Sequence, residues 1–455
     1  MAVFNITVID PATQQQKQVV YDSDASTLRY ADGDHIVPLL APSSAGVAVV
    51  TSRVDPATKT NAPKTLKISL GLSCNYECSY CSQRFVPHAG ETNKDDIGPF
   101  LAQLGGWMTS APERVEFWGG EPLVYWKTLK PLAEALRARW PYAQLTMVTN
   151  GSILTPDINL WLDEMGFNIG LSHDGPGYHA RGLDPLDDPE RRANILDLWK
   201  RLGPSKRMSV NAMMHKDNLS RAAVQSFLTE VFGEDLNIGE GTFIDPYDEG
   251  GMASSLEGSK SQIEYRRRAF AELRSGQASK FVAANEKVMG FIHSLRTRRP
   301  LSAVGQKCGM DRSDNLAVDL KGNVLTCQNV SAVSFAPNGE SHKIGHVSDF
   351  GSIKLKTSTH WSKRAECPKC PVVQICQGSC MFLEGPLWEA GCNNAFSDNI
   401  AFFAAAIEFL TGCVPVYIDG PQREDRRDIF GLVCADKGDS VHRPSRQFPI
   451  RVVAA

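Results

Sequence analysis

Three cysteines lie close together, Cys74, Cys78 and Cys81, spaced C-x3-C-x2-C with Tyr80 directly before the last. A four-iron cubane is held by one cysteine sulfur per iron. Three thiolates therefore leave one iron open to bind something else. Structural zinc takes four ligands, commonly as two C-x2-C pairs, so the triplet suits zinc poorly. The bland alternative for the triplet alone is a partial zinc site or three unrelated core cysteines. A second group reads Cys308-x13-Gly322-x4-Cys327, then Cys367-x2-Cys370-x5-Cys376-x3-Cys380, then Cys392. Seven thiols are one short of two four-cysteine cubanes. Two zinc sites have similar needs, so this spacing alone leaves zinc open.

The chain that carries them has 455 residues, 12 cysteines and a formal charge of −3. Its length suggests more than one structural unit. Its charge gives no general pull toward nucleic acid or anionic membrane. No stretch approaches the ~20 apolar residues of a membrane span. The N-terminus lacks a basic region followed by an apolar core, so no secretory signal is read there. Clustered cysteines without a signal read as metal ligands in a cytoplasmic protein rather than a disulfide framework.

The elements that position these cysteines show in the periodicity. Residues 1–62 carry short alternating runs, Val3–Val8 and Gln18–Tyr21, and end in the polar linker Asp55–Pro63. They read as a small β-rich extension. From 63 to 300, six strand-like runs alternate with helical stretches: Leu66–Leu70, Val115–Trp118, Leu145–Thr149, Ile169–Ser172, Met208–Met213 and Gly241–Ile244. Helical patterns include Leu129–Trp140, Ile158–Met165 and Ala193–Arg201, with a charged helical segment from Ile263 to Arg298. Such βα repeats imply a parallel sheet. Six strands are too few to close an eight-stranded barrel, so the expected fold is α/β, a curved, open (β/α)6 TIM-like barrel. Residues 301–400 read as a loop-rich, cysteine-bearing domain. Residues 401–455 read as a buried helix, Ala401–Leu410, and a polar tail.

Parallel α/β sheets bind ligands at the carboxyl ends of their strands. The cysteine triplet follows strand one, Gly119-Gly120-Glu121-Pro122 strand two, Asn150-Gly151 strand three and His173-Asp174-Gly175-Pro176 strand four. Gly, Asn and Asp also simply make turns, and for Asn150-Gly151 alone that is the better reading. As a set beside three cysteines, the four endings point to one shared site.

On these two motifs, in this order, residues 66–244 resemble a radical S-adenosylmethionine (SAM) enzyme. The resemblance implies that Cys74, Cys78 and Cys81 hold a [4Fe-4S] cluster whose open iron chelates SAM. Reductive cleavage of SAM then yields a 5′-deoxyadenosyl radical that takes hydrogen from the substrate. Gly119 and Gly120 would let the backbone approach the methionine end of SAM. Glu121 would anchor the turn or receive the SAM amine, with Pro122 completing the motif. Tyr80 would pack on the adenine edge. Ser172, Asp174 and Arg181 resemble a strand-four set that contacts the ribose and carboxylate. His173 and His215 are read as ordinary hydrogen-bonded histidines, and no catalytic residue is assigned.

The seven later cysteines resemble the SPASM extension of peptide- and protein-modifying radical SAM enzymes. The resemblance implies two auxiliary [4Fe-4S] clusters. Cys367, Cys370, Cys376 and Cys392 would hold the outer one, and Cys308, Cys327 and Cys380 the inner one. The inner set lacks a fourth cysteine. Its last iron is left open, or to Asp311, Asp314, the remote Cys413 or Cys434, or the substrate. In sulfatase-maturating relatives an Asp follows the cysteine of the G-x4-C element as base; here Gln328 follows Cys327, and a neutral amide accepts no proton. Trp118, before the double glycine, is a second departure, and either narrows the substrate space or fills the barrel. The expected partners are a peptide or protein substrate and a one-electron donor such as flavodoxin or ferredoxin. Dehydrogenation or rearrangement of a small metabolite is the competing enzyme reading. An iron–sulfur electron carrier or zinc scaffold is the non-enzyme one, and it leaves the Gly119–Pro122 rim without a purpose.

Overall fold

The computed structural model describes residues 2–88, 92–239 and 241–432. Its first sheet is formed by β1 (Val3–Ile9), β2 (Gln16–Asp22) and β3 (Thr27–Tyr30). A second sheet contains β4 (Thr65–Ser69), β5 (Arg114–Trp118), β6 (Gln144–Thr149), β7 (Phe167–Ser172) and β8 (Met208–Asn211). These five strands are parallel and adjacent in that order. After them come α1 (Ile97–Trp107), α2 (Trp126–Arg139), α3 (Pro156–Glu164), α4 (Pro189–Leu202) and α5 (Arg221–Phe232). The charged segment divides into α6 (Glu249–Ala253), α7 (Gly258–Arg274) and α8 (Val282–Thr297). Next are β9 (Asn315–Asp319), β10 (Asn323–Leu325), β11 (Lys343–His346), α9 (Val373–Cys376), α10 (Gly385–Thr411) and β12 (Val414–Asp419).

Alternation builds the barrel wall. Val115 and Phe117, Leu145 and Met147, Phe167, Ile169 and Leu171, and Met208 and Val210 are buried. They join one core with Leu129, Leu132 and Leu136 of α2 and Ile195, Leu198 and Leu202 of α4. Successive strand residues point to opposite faces, so Glu116, Trp118, Thr146, Asn168, Ser209 and Asn211 face the other way. They line a cavity of about 260 Å³, the polar lumen. The helices are started by side-chain caps: Thr155 accepts from the Ile158 N–H, Asp188 from Glu190 and Arg191, and Ser220 from Ala223.

Two pairings depart from chain order. The run Gly241–Ile244 makes a single parallel bridge, Met214 to Phe243, rather than a ladder. Side chains occupy its backbone groups instead: Arg221 donates to the Gly241 carbonyl and Asn394 to that of Ile244. A sixth parallel strand comes from β9, which pairs with β4 at the opposite edge and continues antiparallel into β10 and β11. Similarly, β12 pairs with β1, so strands more than 400 residues apart complete the first sheet as β12-β1-β2-β3.

The segment read as a polar linker is tightly held. Lys59 is buried, and its ammonium donates to the carbonyls of Met310, Arg312 and Asn315 at 2.6, 2.8 and 2.8 Å. Burial pulls its pKa down to about 8. Unpairing buried carbonyls costs about 1–3 kcal/mol each. Lys59→Met is therefore expected to lower the thermal unfolding midpoint clearly and to loosen residues 308–315 in hydrogen exchange. An unchanged midpoint and unchanged protection there would show the strap to be dispensable. Among the described residues, no helix is long and apolar enough to cross a membrane.

Candidate active site

The loop carrying Cys74, Cys78 and Cys81 leaves the carboxyl end of β4 and is held from three sides. Gly120 and Glu121, after β5, donate their N–H groups to the carbonyls of Gly71 and Ser73, each at 3.1 Å. The Ser73 N–H donates to the Tyr125 hydroxyl at 2.7 Å. After β6, the Asn150 amide donates to Asn75 at 2.9 Å, and Asn75 donates to Ser152 at 2.8 Å. After β7, the Ser79 N–H reaches the Ala180 carbonyl and the Tyr76 hydroxyl reaches that of Leu183, both at 2.8 Å.

This contact explains the double glycine. A Cβ on Gly120 would lie 2.4 Å from the carbonyl oxygens of both Leu72 and Ser73. One on Gly119 would lie 3.1 Å from the Gly71 oxygen. The close approach seen is thus to the cysteine loop itself. Overpacking costs about 1–3 kcal/mol, and backbone atoms yield less readily than side chains. Gly120→Ala is expected to reduce iron uptake by the Cys74–Cys78–Cys81 loop several-fold, with Gly119→Ala milder. Equal iron content in both variants and the parent would refute this ordering.

Glu121 is buried, and its carboxylate accepts from the Leu123 N–H at 3.0 Å, the Thr149 hydroxyl at 2.8 Å and the Asn150 N–H at 2.7 Å. Burial pushes its carboxyl up, opposed by those N–H donors. It therefore ties the end of β5 to the end of β6. Pro122 begins the short turn that Glu121 caps.

Tyr80, Asp174 and Arg181 converge. The Tyr80 hydroxyl donates to the fully buried Asp174, and Arg181 donates to Tyr80 at 2.8 Å and to Asp174 at 3.3 Å. Asp174 also accepts the Met213 N–H at 2.9 Å. Its carboxylate is thereby engaged by the chain itself, and it holds Tyr80 and Arg181, the latter opposing the rise of the Cys78 thiol. Ser172 ends β7 on the lumen side, opposite Asn211 of β8. His173 is structural: it accepts the Gly175 N–H at 3.0 Å and meets Asp184 at 3.0 Å. His215 is less ordinary. Its ring lies 5.4 Å from that of Tyr80, and its buried Nε2 has no hydrogen-bond partner. Only its position after a strand hinted at this, and many histidines share that.

In the lumen, Lys67 of β4 pairs with Glu116 at 3.1 Å, and the Trp118 indole N–H donates to the same Glu116 oxygen at 2.8 Å. Trp118 is thus locked half-buried below the double glycine. Gln328 places its amide oxygen in the interior without a hydrogen-bond partner.

The thiols fall into three sets, judged by which charges act on which. Burial raises Cys74, and Cys81 raises it further; burial pushes Cys78 up to about 11, with Cys81 and Cys74 beside it. Cys367, Cys370, Cys376 and Cys392 line one cavity. There burial pushes Cys370 up to about 11 and Cys376 up to about 12, and Cys392 adds to both. Arg426, in the tail read as polar, donates to the Cys392 sulfur at 3.3 Å; no local pattern in the sequence pointed to it. Cys380 is raised by burial, then by Asp245, Cys327 and Cys308. Burial pushes Cys327 up to about 12, against Lys67 and Lys59. Cys413 lies apart, near Lys17 and Asp10 of the first sheet, and Cys434 lies outside the described residues. Among the described residues, no three His, Cys, Asp or Glu side chains converge tightly enough for a single metal ion.

Residues 68–224 match the family model of the Radical SAM superfamily. That stretch is a radical SAM domain. The family binds a [4Fe-4S] cluster and SAM. The chain is 23% identical over 199 residues to the radical SAM cyclopropyl synthase TigE of Paramaledivibacter caminithermalis, covering 39% of this chain and 40% of that relative's length. It is 24% identical over 398 residues to the serine-type anaerobic sulfatase-maturating enzyme of Klebsiella aerogenes, covering 80% of this chain and 87% of that protein. Its fold is similar to that of anSMEcpe with bound AdoMet, at TM-score 0.54 and 18% identity, over 77% of this chain and 98% of that one.

Proposed function

We propose that this radical SAM enzyme cleaves SAM reductively and abstracts hydrogen from a peptide or protein, maturing it after translation. The barrel, residues 63–300, would do this with auxiliary clusters in residues 301–400, flanked by the extension 1–62 and the segment 401–455. The observation carrying the reading is the cysteine loop clamped by three strand-end segments at the carboxyl rim of a parallel sheet. The donor sets suit the groups: three thiols at the rim, four round one cavity, and three, Cys308, Cys327 and Cys380, close enough to raise one another. Thiols spread round a cavity suit a polynuclear cluster, in which each binds a different iron.

A [4Fe-4S] cluster held by Cys74, Cys78 and Cys81 would supply the electron for reductive cleavage of SAM, the source of the oxidising equivalent for hydrogen abstraction. The chain's own groups hold and orient. Cys74, Cys78 and Cys81 would be the iron ligands, and Glu121 fixes the Gly119-Gly120 turn against their loop. Asp174 holds Tyr80 and Arg181 in place, with Ser172 at the lumen edge, to meet the nucleoside and carboxylate of SAM. Trp118 narrows the lumen beneath them.

A peptide substrate is supported by the relatives and not by pocket size: the open groove near Cys308 lies at the amino ends of β4, β5 and β6, where Thr65, Arg114 and Gln144 line it. The sulfatase-maturating relative acts on a protein by its name. Gln328 argues against formylglycine chemistry here, because its amide cannot serve as base. Anaerobically reconstituted protein given dithionite and SAM is expected to release 5′-deoxyadenosine. A small peptide encoded beside the gene is expected to change mass in the same assay. No 5′-deoxyadenosine from fully iron-loaded protein would defeat the radical reading; turnover without any peptide change would defeat the substrate.

A further inference from the structure

We propose that Asp311 is the fourth ligand of the inner auxiliary cluster and closes it to substrate. The inference rests on the reading that Cys308, Cys327 and Cys380 hold that cluster. Asp311 stands three residues after Cys308, across a tight turn in which Gly309 has φ +65° and the Arg312 N–H returns to the Gly309 carbonyl at 3.1 Å. The residue is 1% exposed. One carboxylate oxygen accepts the Gln306 N–H at 3.0 Å; the other, Oδ1, is buried with no hydrogen-bond partner.

A buried carboxylate oxygen left bare is costly, and a metal is among the few things that resolve it. Asp311 lines the same cavity as Cys308, and its charge acts directly on that thiol. The backbone on both sides of it is held rigidly, since Lys59 donates to the carbonyls of Met310 and Arg312. The ammonium of Lys59, with Lys67 nearby, also balances the added negative charge of three thiolates and a carboxylate.

Among the described residues the other candidates are engaged or remote, and Cys434 lies outside them; Asp245, which acts on Cys380, accepts from Ser379 and pairs with Lys307 at 3.8 Å. Both oxygens of Asp314 are held by Arg312, at 2.8 and 2.7 Å. Cys413 lies beside the first sheet, and Cys392 belongs to the cavity of the outer set. With Asp311 bound, every iron of the inner cluster has a protein ligand. Such a cluster carries electrons and does not bind a substrate thiolate.

The test uses full-length protein bearing Cys74→Ala, Cys78→Ala and Cys81→Ala, reconstituted anaerobically so that only the auxiliary clusters remain. Iron content should be about eight per chain, four for each cubane. With native Asp311, the reduced paramagnetic resonance spectrum is expected to be unchanged by excess small thiol. Asp311→Cys should keep the iron content but shift the spectrum. Asp311→Ala should give a three-iron signal on mild oxidation and respond to added thiol. A thiol-responsive spectrum with native Asp311 overturns the proposal, as does an Asp311→Ala spectrum indistinguishable from its parent. If Cys308→Ala, Cys327→Ala and Cys380→Ala together leave about eight irons, the underlying cluster reading fails instead.

Discussion

Replacing Cys74, Cys78 and Cys81 together by alanine is expected to abolish release of 5′-deoxyadenosine while removing only about four irons per chain, one cubane's worth. The selectivity follows from the architecture. These three residues sit on one loop at the carboxyl end of β4, whereas the other cysteines of the two later sets come from the segment after α8. The loop is held by backbone hydrogen bonds to Gly120, Glu121 and Ala180, none of which uses a thiol. Alanines there should leave the barrel folded, with a thermal midpoint close to that of metal-free parent protein. Iron assay, 5′-deoxyadenosine by mass spectrometry and circular dichroism together check the result. Residual cleavage above background in the triple variant would place the SAM-binding iron elsewhere.

Asp398→Ala is expected to have the largest effect on stability. Arg221, at the start of α5, is fully buried, and donates to the Gly241 carbonyl, to the Tyr265 hydroxyl at 3.0 Å and to Asp398 of α10. Tyr265 of α7 also donates to Asp398 at 2.7 Å. Burial alone would push the Asp398 carboxyl up, but Arg221 and Lys287 outweigh it and hold it below the usual carboxylate range. Removing one partner of a buried pair leaves an uncompensated charge and costs about 3–5 kcal/mol. Here it would also detach α10, which carries Cys392, from the barrel. Denaturant unfolding of the metal-free protein measures the loss. Replacing both partners, Arg221→Met with Asp398→Leu, should recover most of it, since a buried pair is often replaceable by apolar side chains. A single substitution within ~0.5 kcal/mol of the parent, the range of an ordinary surface change, would show the network to be ornamental.

Much of this molecule was legible from local pattern. Alternating burial in β5, β6 and β7 is a two-residue period that any reader of the chain can count. The glycines at 119 and 120 marked a close backbone approach, although what approaches in the fold is the carbonyl pair of Leu72 and Ser73. Other features left no local trace. A lysine in a polar run reads as solvated, yet Lys59 caps three buried carbonyls some 250 positions away. Gly241–Ile244 has a strand's composition, but it pairs with Met214 alone, its Gly241 and Ile244 carbonyls accept from Arg221 and Asn394, and β9 supplies the sixth parallel strand.

By itself, the sequence determined the alternation of strands and helices, the polar endings on one rim, and the spacing of the cysteines. Each depends on neighbours a few positions apart, where backbone geometry alone decides what faces what. Tertiary structure alone decided which thiols share a cavity, that Arg426 joins Cys392, that Asp311 keeps one bare oxygen and that Arg312 silences Asp314. Those relations set distant side chains against each other in a low-dielectric interior. There, unpaired charges and polar atoms are costly enough to dictate partners, and sequence distance carries no information about them.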